Sequence, residues 1–396
     1  MIDPPSGQRY KKSGFSGFVN LRAVRARLRR HALAFFPFAA KRLNYYPELQ
    51  NARITSTEIL YREFRSAPPE AFGIDFDRDA RRYMEFRREP VPKELGVEFT
   101  VTLHRNATLL GHTGTAIDGG AVVAPTAWGA AERNYSKIAT LKSVKGDPET
   151  LYLPMLGVRR GHRQYFHFLA EYMTTLHLFL TRTHRPKRPV VIVTRTDLSA
   201  VQEEIYDEII KAFPETSLLR LSPREKLLCP SMAVPDYSTT GKTGAFFSPE
   251  YVAFIDGLLA RRYGAIDAAP DKDFYVSRRD AKLRHLENEG EIESVLRERG
   301  FETIVPGEMS LREQFFAFRR ARTLVATHGA GLTNLLFVPR GGKIVECASQ
   351  DFGGCAFMWI SAAKGLRHRL AVGGKEGKRQ RYSIAVETLL DALDAP

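Results

Sequence analysis

The most informative stretch of the chain is Thr327-His328-Gly329-Ala330-Gly331-Leu332-Thr333-Asn334. It follows a short apolar run, Thr323 to Ala326, that is typical of a buried parallel strand. It precedes Leu335 to Phe337, which we expect to form the first turns of a helix. A strand that ends in two glycines and opens a helix presents bare backbone N–H groups, and the helix dipole adds partial positive charge there. The stretch therefore predicts an anion site, most often one for phosphate.

The spacing Gly329-x-Gly331-x-x-Asn334 is an incomplete dinucleotide fingerprint. Its third position should be glycine or alanine, and it is asparagine here. A tight turn that serves only packing is the competing interpretation. The polar side chains of His328, Thr333 and Asn334 add further contacts that would suit a bound anion.

The residues around this stretch alternate between strand and helix patterns. We expect strands at Phe274–Val276, Glu302–Val305, 323–327 and Lys343–Glu346, and helices at 289–299, after the capping box of Ser310 and Glu313, and at Ile384–Leu393. Such alternation predicts a parallel, doubly wound sheet. Ligands of these sheets bind at the carboxyl ends of the strands, which is where His328 falls.

A second group of polar residues follows the strand that starts at Phe274. Arg278 and Arg279 come directly after it in the segment 275–280, and Arg284 follows. Arginine forks suit phosphate oxygens, although a solvated surface would also accept them. Because this group and the glycine turn both end strands of one sheet, we expect a shared diphosphate site. Asn288 and Glu289 begin the next helix, where the dipole by itself favours Glu289.

The first half of the chain contains a candidate acid–base pair. His167 and Glu171 are four residues apart in a predicted helix, Phe166–Leu180, and so share one face of it. A carboxylate that orients an imidazole makes a competent general base. On spacing alone, a core histidine satisfied by a neighbouring acid is the better explanation of the pair.

Length and composition bound the class of protein. The chain has 396 residues, 43% of them hydrophobic, which predicts two domains with full-sized cores. The net charge of +14 favours anionic partners. Three cysteines, Cys229, Cys347 and Cys355, show no metal spacing and indicate a reduced, cytoplasmic compartment. We expect no resident cofactor and no metal.

Residues 1–46 form a distinct basic segment, with ten Lys or Arg residues against one acid. Apolar residues such as Leu21, Val24 and Leu28 are interleaved with the bases. A basic amphipathic segment can lie on an anionic bilayer, although a solvated arm has the same composition. We expect this segment to hold the protein at the inner face of the cytoplasmic membrane.

Taken together, the motifs resemble the family 61 glycosyltransferases, a capsular-polysaccharide type of domain. The similarity runs from about Leu151 to Ala348. Its specific parts are Tyr165-Phe-His-Phe-Leu-x-Glu171, Tyr275-Val-Ser-Arg-Arg-Asp280, Asn288-Glu289, Ser310-Leu-x-Glu-Gln314, His328-Gly-Ala-Gly-Leu-Thr-Asn334, Phe337-x-Pro339 and Ile344-Val-Glu346. The family's usual tryptophan after the first histidine is Phe168 here.

The resemblance implies an α/β, GT-B-like fold with two facing Rossmann-like domains and parallel sheets. We expect a basic segment at 1–46, an acceptor-side domain at 47–240, a connection at 241–272 and a nucleotide-sugar domain at 273–396. On the donor side the resemblance implies the residues Arg278, Arg279, Arg284, Asn288, Glu289, His328, Gly329, Ala330, Gly331, Thr333, Asn334 and Glu346.

The activity implied by the resemblance is inverting transfer of a hexose or pentose from a nucleotide sugar to a glycan or lipid-linked acceptor, in cell-surface polysaccharide synthesis. The nucleotide sugar is a substrate here, and no nucleic acid partner is expected. Two alternatives stay open at this point. One is a non-catalytic protein of the same fold that binds nucleotides or glycans, and the other is a dinucleotide-dependent oxidoreductase.

Overall fold

The structure is a computed structural model that describes two β-sheets with helices packed between and around them. It describes residues 58–395, apart from short gaps at 77, 79–80, 82–83, 86–89, 124–125, 127–134, 157–163, 184–187, 240–246, 265–268 and 352–353. The basic segment 1–46, with its expected membrane contact, lies outside the described residues. None of the helices in the described part is both long enough and apolar enough to cross a bilayer.

The first sheet contains nine strands of mixed direction. Its strands are β1 (Glu58–Ala67), β2 (Leu95–Leu110), β3 (Ala116–Asp118), β4 (Ala121–Val122), β5 (Lys142–Lys145), β6 (Leu151–Pro154), β7 (Val190–Arg195), β8 (Thr216–Leu221) and β9 (Glu225–Thr239). The main path runs β4-β3-β2-β9-β6-β7-β8, while β1 pairs with β2 and β5 with β9. Strands β6, β7 and β8 are parallel, and β2 runs antiparallel to β1, β3 and β9.

The expectation of two parallel sheets is therefore wrong for part of the first half. The long pair β2 and β9 meets across more than a hundred residues of sequence, with Val97 opposite Thr239 and Leu110 opposite Lys226. Antiparallel pairing leaves one face free to carry polar residues, so β2 alternates in a way that parallel, doubly covered strands do not. The parallel strands β6 and β7 are buried, as their apolar sequences predict.

The second sheet contains five strands, all parallel, as the alternation of patterns predicts. They are β10 (Lys272–Val276), β11 (Glu302–Ile304), β12 (Ala321–Thr327), β13 (Lys343–Ala348) and β14 (Arg367–Val372). Their spatial order is β11-β10-β12-β13-β14. The chain thus leaves β10 for β11 on one side and then crosses to β12 on the other. A sheet of this order has its topological switch point between β10 and β12, where ligands bind.

Seven helices have both ends within the described residues. They are α1 (Tyr165–His167 and Met173–Arg182, joined by the π-helical turn Phe168–Tyr172), α2 (Ala200–Ala212), α3 (Pro249–Tyr263), α4 (Glu289–Glu298), α5 (Leu311–Arg319), α6 (Ala356–Lys364) and α7 (Val386–Asp394). The capping box of Ser310 and Glu313 begins α5 as predicted. Ser248 caps α3, with Pro249 in its first turn.

The main hydrophobic core is shared by both sheets. It runs from Phe99 and Leu103 of the first sheet, through α1 and α3, to Leu324 and Ile344 of the second. The ring of Phe76 meets that of Trp359 edge-on at 4.9 Å within it. A second, smaller core lies on the far face of the second sheet, under α4 and α7.

Candidate functional site

The site forms where β10 and β12 end, at the switch point of the second sheet. Val276 and Ala326 lie side by side in the register of the two strands. Ser277 and Arg278 therefore follow one strand end while His328 and Gly329 follow its neighbour. The sheet topology brings together the two motifs that the sequence places fifty residues apart.

The chain after β12 turns into a 3-10 helix, Ala330–Phe337, rather than the expected α-helix. Its cap residue, Gly329, has extended backbone angles, so any residue could adopt them. The absence of a side chain leaves room for Arg278: a β-carbon on Gly329 would stand 1.3 Å from Nη1 of Arg278 and would displace it. The guanidinium of Arg278 therefore lies directly on the backbone of the glycine turn.

Arg278 lies close enough to Arg284 for the positive charge of Arg284 to lower its pKa. Burial lowers the pKa of Arg278, and the charge of Arg284 lowers it further. Burial likewise lowers the pKa of Arg284. Arg284 has a left-handed backbone, with φ of 63°, which is strained for a residue with a β-carbon. Two partly desolvated cations at a strand end make a local site of positive potential.

His328 lies beside these arginines at the start of a buried polar chain. Its Nδ1 contacts one carboxylate oxygen of Glu346. The other oxygen of Glu346 accepts from Nε2 of His368 at 3.0 Å, and Nδ1 of His368 lies 2.7 Å from the hydroxyl of Ser361. All four residues are buried, although they carry polar or charged groups. Such groups are stable inside a protein only when they are paired in this way.

The protonation of this chain follows from its surroundings. Burial by itself would raise the pKa of Glu346, but the charges and hydrogen bonds of His328 and His368 outweigh it and hold the pKa at about 2. Burial lowers the pKa of His328; the charge of Glu346 opposes this change, whereas Arg284 and Arg278 add to it. Near neutral pH, Glu346 is therefore ionised and His328 is neutral.

Asn334 joins the two halves of the molecule. It is fully buried, and its carbonyl oxygen accepts from the hydroxyl of Tyr165 at 2.5 Å. Its amide donates to the side-chain oxygen of Gln314 at 2.8 Å. The amide of Gln314 in turn donates to the carbonyl groups of Pro306 and Met309. Asn334, which departs from the dinucleotide fingerprint, thus links α1 to α5 beside the site.

A cleft of about 490 Å³ opens between the two halves at this point. The second sheet contributes the residues after β10, β11 and β12, and the first half contributes the start of α1 and of α2. The lining residues are Gln164, Tyr165, Phe168, Ser199, Val201, Gln202, Val276, Ser277, Arg278, Asp280, Ala281, Pro306, Gly307, Met309, Gln314, Thr327, Ala330 and Gly331. The volume is in the range of small-molecule sites.

His167 and Glu171 lie next to this cleft, on the first two turns of α1. Nδ1 of His167 is 3.1 Å from the carboxylate of Glu171, and their side chains are 32% and 5% exposed. The π-helical turn that contains Glu171 follows His167 directly. Turns of this kind recur at functional sites because they re-aim side chains. His167 itself is absent from the lining, which passes from Tyr165 to Phe168.

Some predicted donor-side residues lie apart from the cluster of Arg278, Arg284 and His328. Arg279 is exposed and pairs with Glu308 at 3.2 Å. Glu289 accepts from the hydroxyl groups of Tyr275 and Ser277, and so holds the end of β10.

Asn288 and Thr333 are two further residues predicted on the donor side. Asn288 is engaged by the backbone of Ile384. Thr333 is fully buried in the 3-10 helix. In the described ranges of the chain, no three or more His, Cys, Asp or Glu side chains are grouped as a metal site.

Several residues of the site escaped the sequence reasoning. Asp280 lines the cleft, with its carboxylate against the backbone of Gly307. His368 and Ser361 complete the buried chain behind His328. The isolated histidine in the strand segment Arg367-His368-Arg369-Leu370 was the available signal, because a buried strand histidine needs a partner.

Residues 165–345 match the family model described as Glycosyltransferase 61. The match begins at Tyr165 in the cleft and ends one residue before Glu346. It confirms the resemblance seen in the sequence motifs. No curated protein matches the chain.

Proposed function

We propose that this chain, which carries a family 61 glycosyltransferase domain over residues 165–345, transfers a sugar with inversion from a nucleotide-sugar donor to a glycan or lipid-linked acceptor. The observation that carries the donor assignment is the position of Arg278, Arg284 and His328 at the switch point of a parallel sheet, beside a cleft of about 490 Å³. A nucleoside diphosphate fits both the charge and the location.

The diphosphate is the part of the donor that the arginines favour. Arg278 and Arg284 are partly desolvated and close to each other, so a bound dianion would offset both costs. Charge accumulates on the leaving diphosphate as the bond to the anomeric carbon breaks. Fixed donors at that position stabilise the transition state more than the ground state.

The acceptor hydroxyl needs a proton acceptor, and we assign that role to His167. Its Nδ1 faces Glu171, so a proton held there leaves Nε2 as the basic nitrogen. In the proposed step the acceptor oxygen bonds to the anomeric carbon, its proton passes to Nε2, and the bond from that carbon to the diphosphate oxygen breaks. The nucleoside diphosphate leaves with the bonding electron pair.

The same proposal extends to architecture and location. The two sheets with a cleft between them support a GT-B arrangement, with the donor on the second sheet and the acceptor on the first. The basic charge of residues 1–46 supports attachment to an anionic membrane, where lipid-linked acceptors of cell-surface polysaccharides are found. Each base near such a surface contributes roughly 1 kcal/mol.

A nucleotide panel tests the donor assignment. Thermal unfolding should shift upward with UDP, GDP or CMP, and much less with NAD, because Asn334 occupies the position where a dinucleotide site needs a small residue. Arg278→Ala should remove the shift. Hydrolysis or transfer of the matching nucleotide sugar then separates an enzyme from a binding protein. A response to NAD alone would overturn the proposal.

A further inference from the structure

The buried chain His328–Glu346–His368–Ser361 continues well behind the cleft. His328 contacts Glu346 from the end of β12, Glu346 lies on β13, His368 on β14, and Ser361 on α6. Four elements of the fold thus supply one line of hydrogen-bonding groups. The outer two residues touch nothing in the cleft, so any effect they have on a ligand must pass through Glu346.

Each contact in this line constrains the next. Glu346 is ionised and accepts, so Nδ1 of His328 and Nε2 of His368 must both donate to it. A proton on Nδ1 of neutral His328 places the lone pair on the other ring nitrogen, Nε2. The ring is also held in place by Phe357, whose centroid lies 5.0 Å away.

We propose that His368 is a positioning residue, which through Glu346 fixes His328 as the tautomer with its proton on Nδ1 and its lone pair on Nε2. Nε2 can then take up a proton when an anionic diphosphate binds beside the ring, which makes it a hydrogen-bond donor. The inference deepens the proposed function, and rests on it only for the identity of that donor. A neutral histidine between two arginines lets the site gain positive charge when an anion binds, and avoids a third cation when the site holds none.

The charged groups around His328 decide how it titrates. Glu346 faces it from β13, and Arg278 and Arg284 face it from the segment after β10. Around Glu346 itself lie His368 and Cys347, and Tyr382 faces both Glu346 and the two arginines. Burial raises the pKa of both Tyr382 and Cys347, so these two stay neutral and do not titrate near neutral pH. The variable group is therefore the pair of His328 and Glu346.

Substituting His368 should move the titration of His328 in a predictable direction. In His368→Leu the carboxylate of Glu346 loses one donor, so more of its negative charge acts on His328 and the midpoint moves to higher pH. His368→Gln keeps an N–H near the position of Nε2 and should titrate like the natural protein. Ser361→Ala keeps the imidazole and should give a smaller shift in the same direction as His368→Leu.

The test is long-range ¹H–¹⁵N NMR of the full chain labelled with ¹⁵N-histidine, with His328 assigned from a His328→Asn variant. The natural protein should show the tautomer protonated on Nδ1. His177→Leu is the matched control, since His177 is also buried but packs against Phe254 at the other end of the core. It should leave the signal of His328 unchanged.

The outcomes separate the inference from the proposed function. A His328 tautomer protonated on Nε2, or an unchanged midpoint in His368→Leu and Ser361→Ala, overturns the inference whatever the protein binds. If His368→Leu does not fold, Ser361→Ala and His368→Gln decide the question alone. With a donor identified, the alkaline limb of kcat/KM that reflects protonated His328 should move to higher pH in His368→Leu, by the same amount as the NMR midpoint. Absence of nucleotide binding together with the predicted NMR shift would overturn the proposed function but support the positioning role of His368.

Discussion

Arg278 and Gly329 are in direct contact: Nη1 of the arginine occupies the space where a β-carbon of residue 329 would be. Arg278 is therefore placed by its own strand end and also by the absence of a side chain on the next strand. The glycine at position 329 has a steric cause rather than a conformational one, because its backbone angles are extended.

Gly329→Ala should displace Arg278 and weaken binding of the nucleoside diphosphate by about 10- to 100-fold, the equivalent of a charged hydrogen bond. The measurement is calorimetric titration of the nucleotide that responds in the thermal panel. Gly290→Ala is the control, because a β-carbon there meets nothing within 4 Å. Equal affinities of Gly329→Ala and the natural protein would show that Arg278 does not hold the diphosphate.

Tyr165 and Asn334 should be energetically coupled across the cleft. Tyr165→Phe removes one hydrogen bond of Asn334. Asn334→Ala removes that bond and also the hydrogen-bond donor to the side-chain oxygen of Gln314. We expect Asn334→Ala to cost about 2–4 kcal/mol of unfolding free energy, and Tyr165→Phe less. A double-mutant cycle in urea should return a coupling of roughly 1 kcal/mol. Additive effects of the two substitutions would mean that the contact contributes nothing to joining the two halves.

His167→Ala should lower the rate of transfer by about 10²–10⁴-fold, the usual range for the loss of a general base. Donor affinity should barely move, since the diphosphate lies on the second sheet. Glu171→Gln should give a smaller loss, because the amide still contacts Nδ1 but stabilises the imidazolium less. Weaker donor binding in His167→Ala, or a collapse of its thermal stability, would make His167 a donor ligand or a core residue instead.

Glu346→Gln should destabilise the protein at neutral pH by about 3 kcal/mol, because two histidines lose their ionised acceptor. The folded pKa of Glu346, about 2, lies below the unperturbed 4.5, so the unfolded state binds more protons in that window. The stabilisation is thus complete above pH 4.5 and lost as the pH falls towards 2. Urea unfolding across this range should show the two proteins converging in acid. A constant difference would place the effect in packing rather than in charge.

Transfer should not need a divalent metal, since Arg278 and Arg284 can neutralise a leaving diphosphate. EDTA should leave the rate of transfer unchanged, measured with donor and acceptor in excess. Activity that disappeared with EDTA and returned with Mn²⁺ or Mg²⁺ would contradict this. Asp75 and Asp77 would then be the first carboxylates to substitute, because the sequence Asp75-Phe76-Asp77 has a D-x-D form that could hold a metal, although Asp77 lies outside the described residues.

Residues 1–46 should bind anionic membrane and take no part in the chemistry. Their ten bases and one acid give a net charge of +9. Deleting them should abolish sedimentation with anionic liposomes at low salt and leave turnover of a soluble acceptor intact. Lost turnover with unchanged liposome binding would place the segment in the folded core.

Four of the five strands of the second sheet were predictable from the alternation of strand and helix patterns, and two of them, β10 and β12, end in recognisable polar motifs. The sequence analysis missed α6 and β14 in that half. Arg367 and Arg369 interrupt the apolar pattern of β14, which pairs along one edge only. In the first half, β2 and β9 pair over a long separation, and local periodicity carries no information about that pairing. The π-helical turn at Phe168–Tyr172 also has no local signature in the sequence.

The proximity of the two strand-end motifs was predictable from the sequence, whereas the tertiary contacts around them were not. Arg278 and His328 follow two strands whose adjacency is a rule of parallel sheets. Asn334 stands where a dinucleotide fingerprint has glycine or alanine, and its hydrogen bonds with Tyr165 and Gln314 explain the asparagine. His368 lies within a strand, so nothing local connects it to a histidine forty residues earlier.

The shared core has a practical consequence for how the protein can be divided. A fragment that ends at residue 345, where the family match stops, would cut β13 before Glu346 and discard β14 entirely. A fragment that begins at Tyr165 would lose β1 to β6, including the residues of β2 that pack against α1 and α3 in the shared core. We therefore expect a soluble fragment to need both sheets, and so to extend beyond the residues 165–345 that the family model matches.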